Sequence, residues 1–101
     1  ALRGHAGGVR FEGTPEAALA ASLAAAQELG WAIVQQDAEA GTFEATDTTA
    51  IFHFVDDISV RVRPDAAGAR VDVRSKSRDG KGDLGANAAR IRAFRDALGS
   101  G

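Results

Sequence analysis

Apolar residues along this chain change their period twice. From Glu16 to Leu29 they recur at helical spacing, with Leu19, Leu23 and Ala26 at i, i+4 and i+7 of an alanine-rich run. Thr14-Pro15-Glu16 supplies the start: a hydroxyl cap, a proline suited to the first helical position, and an acid at the positive end of the dipole. Gly30 stands where a left-handed residue would end the helix. From Trp31 the period becomes two. Strands are predicted over Trp31–Val34, Thr42–Thr48, Ile51–Arg63 and Ala69–Ser75, joined by short turns, the last of them Pro64–Gly68. After Lys76 to Asp83, a loop by its glycines and Asp79, the helical period returns. Leu84, Ala88, Ile91, Phe94 and Leu98 then share a face, and Asp83 is the expected N-cap.

This pattern predicts an α+β, two-layer fold. A four-stranded antiparallel meander carries two helices on one face, in the order α-β-β-β-β-α. Residues 1–13 read as a flexible lead-in with room for a short strand at Val9–Phe11; residues 14–98 form the single domain, and 99–101 a tail.

Parity assigns faces. Phe52, Phe54, Ile58, Val60 and Val62 point to the helices, as do Val71, Val73 and Ser75 on the next strand. Arg61, Arg63, Arg70 and Arg74 then meet on the open face, with Asp72 and Glu44 among them. Asp56 breaks the pattern, because its parity is inward. A bulge at Asp56-Asp57 that turns it outward is the favoured solution; a carboxylate buried against an arginine is the alternative.

Composition narrows the chemistry. At 101 residues one domain is expected, and the absence of cysteine excludes disulfides, thiolate metal sites and a cysteine nucleophile. No apolar run is long enough for a transmembrane segment. With no methionine in the chain, a longer natural N-terminus is expected, as the place of any targeting or anchoring segment. The net charge of −2 hides an asymmetry: residues 1–50 hold two basic and seven acidic groups, residues 51–101 ten basic and seven acidic.

Four arginines on one sheet face could cradle an anion, since guanidinium forks take carboxylate and phosphate bidentately. The plainer reading is a solvated face laced by ion pairs. No nucleic acid is expected, because no aromatics interleave the arginines. The stretch from Arg74 to Asn87, through Ser75, Ser77, Arg78 and Asp83, leads hydroxyls and bases into a helix start, an arrangement suited to an oxyanion or to pinning strand to helix. Catalytic candidates are absent: His5 lies in the lead-in, no Gly-x-Ser-x-Gly elbow accompanies His53, and Asp56 and Asp57 point to opposite faces. No metal site or cofactor is expected. Ile51, His53 and Val55 form an outward apolar contact patch.

The aspartate pair in Phe52-His53-Phe54-Val55-Asp56-Asp57-Ile58, together with Arg74-Ser75-Lys76-Ser77-Arg78 and Asp83-Leu84-Gly85-Ala86-Asn87, resembles domain-of-unknown-function family 1499, a bacterial and plastid family. The likeness covers roughly Pro15 to Leu98. It implies no activity, but it points to Asp56, Asp57, Arg74, Ser75, Ser77, Arg78, Asp83, Gly85, Asn87 and Arg90 as motif positions. One polar cluster is expected there, with Asp56 or Asp57 paired to Arg74, Arg78 or Arg90. Many relatives carry this domain behind a hydrophobic anchor or lipoprotein signal, so the resemblance favours the periplasmic side of the cell envelope, with a protein or membrane complex as partner. The leading expectation is a non-enzymatic accessory or binding domain that works through its basic half. The alternatives are an enzyme or carrier of a small anionic ligand at residues 75–90, and a small subunit of a membrane complex.

Overall fold

Period-two alternation runs further than the local signals suggest, and it builds five strands. The computed structural model describes residues 4–48, 54–66, 68–78 and 84–100. Its elements are β1 (Gly4–Phe11), α1 (Pro15–Glu28), β2 (Ala32–Asp37), β3 (Thr42–Thr48), β4 (Val55–Asp65), β5 (Gly68–Ser77) and α2 (Leu84–Ser100). The sheet order is β1-β5-β4-β3-β2, antiparallel throughout. The α+β class with two helices holds. The four-stranded sheet and its element order do not: the supposed lead-in is an edge strand, paired with β5 from Gly4 opposite Lys76 to Phe11 opposite Ala69. Likewise the expected tail is helical through Ser100.

α1 crosses from β1 at one edge to β2 at the other, and the meander then steps back until β5 closes on β1. Its ends form as expected. The Ala17 N–H donates to Thr14 Oγ1 at 3.0 Å, Pro15 opens the helix, and Gly30 takes φ +83 just past the C-cap Leu29. The stripe that meets the sheet differs from the expected one. Ala18, Ser22, Ala25 and Ala26 are buried, while Leu19 and Leu23 sit half-buried on the flank. Small side chains let the helix lie close to the sheet, and the Ser22 hydroxyl bonds back to the Ala18 carbonyl at 2.7 Å.

Between the layers lie Phe43, Ala45, Ile58, Val60, Val62, Ala69, Val71 and Val73 from the sheet, facing Ile91, Phe94 and Leu98 of α2. Trp31 stacks on Phe94 with ring centroids 5.3 Å apart. Close approach extends to β1, where a Cβ on Gly7 would lie 3.0 Å from Ile91 Cγ2.

β4 corrects the expected bulge. Asp56 pairs with Ser77, Asp57 with Lys76 and Ile58 with Ser75 in unbroken register. Asp56 therefore keeps its inward parity and is buried. A register shift occurs instead in β2, between Ile33 and Gln35, and it leaves Val34 exposed. β4 also runs through Pro64 to Asp65, so its link to β5 is only residues 66–67, with Ala66 at φ 46.

Candidate functional site

The two faces of the sheet hold arginine and carboxylate in opposite circumstances. On the helix-covered face the apolar core stops before the sheet does. Asp47, Asp56, Ser75 and Ser77 continue the inward parity of β3, β4 and β5, and Asn87 and Arg90 of α2 close over them. The Arg90 side chain is 8% exposed and the Asp56 side chain 4%. Arg90 Nη1 lies 2.9 Å from Asp56 Oδ2, 3.0 Å from Ser75 Oγ and 2.9 Å from Asn87 Oδ1. Its Nε donates to Asp47 Oδ2 at 3.0 Å. Ser75 Oγ donates to Asn87 Oδ1 at 2.7 Å, and Asn87 Nδ2 donates to Ser77 Oγ at 3.2 Å.

This network is self-satisfying. Its hydroxyls, amide and guanidinium bond one another, which is what a buried polar group requires. Asp56 Oδ1 alone, among the described residues, is a buried side-chain polar atom without a hydrogen-bond partner. The chemistry is therefore that of a clamp from β3, β4 and β5 to α2. Asn87 reaches the strand residues Ser75 and Ser77, which pins β5 to α2. Asp83, Ile51 and His53 lie outside the described residues. Val55 is half-buried on β4, and its carbonyl accepts the Arg78 N–H at 3.1 Å.

On the uncovered face the same residue types are exposed. Arg78 sits on this side, away from Ser75 and Ser77, and holds Asp57 in a two-point pair of 2.6 and 3.2 Å. Those hydrogen bonds keep the Asp57 carboxyl below its ordinary value. Asp72 takes Arg63 Nη2 at 2.7 Å and Arg70 Nε at 3.0 Å. Partial burial pushes the Asp72 carboxyl up, but the two arginine hydrogen bonds outweigh it, so the group stays below its ordinary value.

Two carboxylates, Asp72 and Glu44, do not neutralise the five arginines of this neighbourhood. Arg10, Arg70 and Arg63 stand directly opposite one another across β1, β5 and β4. Facing like charges are unfavourable in a sheet. Arg61 and Arg74 make no ion pair among the described residues. Between these side chains runs an open groove of about 840 Å³, floored by Ala6, Gly8, Ser59 and Thr42. Arg70 reaches across β1: a Cβ on Gly8 would lie 2.7 Å from its Nη2 and 2.8 Å from Asp72 Oδ1.

Two participants escaped the reading of the sequence. Arg10 was hidden by the supposed lead-in, although its alternation with Val9 and Phe11 is the signal for an outward position. Asp47 continues the parity of Phe43 and Ala45 and could have been placed inward on that ground. Among the described residues no group of three or more His, Cys, Asp or Glu is arranged to hold a metal ion. No described helix is long and apolar enough to cross a membrane.

Solved structures share this architecture. The crystal structure of Ara h 8.0201 aligns over 99% of this chain and 97% of its own, with a TM-score of 0.68 and 11% identity. Protein CV1439 from Chromobacterium violaceum aligns over 95% and 94%, with a TM-score of 0.57 and 11% identity. At that identity the likeness concerns the fold alone. No curated protein matches the sequence. One family profile does, over residues 5–98, and it spans both the inner clamp and the arginine face. The chain thus belongs to the family described as Protein of unknown function (DUF1499).

Proposed function

We propose that this domain is a non-enzymatic binding module that holds an anionic group of a partner on its uncovered sheet face, as an accessory to a larger envelope assembly. The observation that carries this reading is the groove lined by Arg61, Arg63, Arg70 and Arg74, of which Arg61 and Arg74 make no ion pair among the described residues, with Arg10 standing opposite Arg70 at its edge. Facing like charges are a small cost on an exposed sheet face, and an anionic group bound among them would relieve it. Guanidinium groups fit carboxylates and phosphates alike, and Arg61 and Arg74, which make no ion pair among the described residues, offer their forks to such a group. The rival site at residues 75–90 has less to offer, because Ser75, Ser77, Asn87 and Arg90 already bond one another.

The test is capture on immobilised polyglutamate at low salt. The chain should be retained and then released as salt rises. The triple variant R61S/R63S/R74S should pass through unretained. Equal retention of the variant would refute the reading.

A further inference from the structure

The two edges of the sheet are not alike. β2 is short, carries the register shift between Ile33 and Gln35, and ends on Asp37. Bulged, acidic edges resist pairing with another chain. β1 has none of these defences. Its eight residues stay in unbroken register with β5, and it contains no proline, lysine or acid. Among the described residues no strand pairs with its outer side.

The outward side chains on that strand are also unusually small. Ala6 stands beside Arg74 and Gly8 beside Asp72 on β5, and the missing side chain at Gly8 is what lets the Arg70 guanidinium, bound to Asp72, reach toward the edge. The Arg70 guanidinium already lies over Gly8, with only its Nε engaged by Asp72. Arg10 stands at the same edge and is exposed.

We infer that the β1 edge accepts an extended acidic segment of a partner protein as a sixth strand. Its backbone would pair with β1, and its carboxylates, at every second residue, would pass over Ala6 and Gly8 to Arg74 and Arg70. Alternate residues of a strand lie about 6.6 Å apart, the same repeat that separates outward positions on β1 and β5. A second copy of β1 is a poor occupant, because that strand brings no carboxylate to this basic edge and Arg10 would add to its positive charge. The inference rests on the proposed anionic partner and adds the backbone pairing to it.

The probe is a capped peptide of alternating valine and glutamate, about eight residues long. It is titrated into the isotope-labelled chain while amide exchange is followed. Slowed exchange confined to residues 4–11 is expected, with affinity falling about tenfold or more when alternate peptide amides are N-methylated. The variant R70S/R74S should show a comparable loss. If the N-methylated peptide binds as tightly, the edge is not used, and strand addition is wrong while the anion-binding face survives. If neither peptide nor polyglutamate binds, both readings fall. Concentration-dependent protection of β1 without peptide would mark a self-association edge and overturn the inference.

Discussion

Arg90 and Arg70 are the same residue in two settings, and the difference between them separates architecture from recognition. Arg90 is buried against Asp56, Asp47, Ser75 and Asn87. Taking it out of water is repaid only because each neighbour is already in place, and removing any one leaves a buried charge exposed to no solvent. Arg70 lies half in water on the opposite face, shares Asp72 with Arg63, and faces Arg10 across the strand pair. High dielectric makes its ion pair worth little and its like-charge neighbours tolerable. The inner cluster therefore fixes how α2 sits on the sheet, while the outer cluster is the face to which we assign binding of an anionic partner.

The sharpest way to break this contrast is to remove one guanidinium from the inner cluster. Arg90→Met should cost about 3–5 kcal/mol, since Asp56 is left buried and unpaired. Urea unfolding measures it. The double variant R90M/D56L should recover much of that loss, because it removes both charges together. A single variant that unfolds within about 1 kcal/mol of the parent would place Arg90 in the same class as its exposed counterparts.

Acid titration of the outer face is the next and smaller effect. Asp72 and Asp57 both have folded carboxyls below their ordinary value. Groups depressed in this way stabilise the fold above the unfolded pKa, about 4, and lose that contribution as pH falls through the folded one. Asp72→Asn should thus lower stability by no more than about 1 kcal/mol at neutral pH, given its solvent screening. The gap between parent and variant should close below about pH 4 and also in high salt. A gap that persists at pH 2 would mean that Asp72 acts through packing rather than charge.

Smallest of all is the expected stability change in R61S/R63S/R74S, within about 0.5 kcal/mol of the parent by thermal or urea unfolding. A loss several times larger would make these arginines part of the scaffold and dissolve the contrast.

Which parts of this were readable beforehand follows from how far each signal reaches along the chain. The Thr14 cap, Gly30, and the face of α2 carrying Ile91, Phe94 and Leu98 depend on neighbours within a turn or two, and the sequence showed them. β1 depends on β5, whose partner residues lie more than fifty positions away, and its glycines suppress strand propensity. Only Val9, Arg10 and Phe11 hinted at it. Asp56 shows a subtler failure. Its parity was read correctly, but a desolvation argument overrode it because the compensating charge, Arg90, comes from the last helix. The leucines of α1 were read as the core stripe for a similar reason. Periodicity placed Ala26 correctly on the buried face, but it did not reveal that the rest of the close contact goes to Ala18 and Ala25 rather than to Leu19 and Leu23.

The central claim is that recognition belongs to the uncovered arginine face and not to the clamp around Arg90. Amide shift mapping of the labelled chain with polyglutamate tests both regions in one titration. Shifts at Arg10, Arg61, Arg70 and Arg74 that reverse with salt, with Ser75, Asn87 and Arg90 undisturbed, are the predicted result. Shifts centred on Ser75, Asn87 and Arg90, with the outer arginines silent, would contradict it.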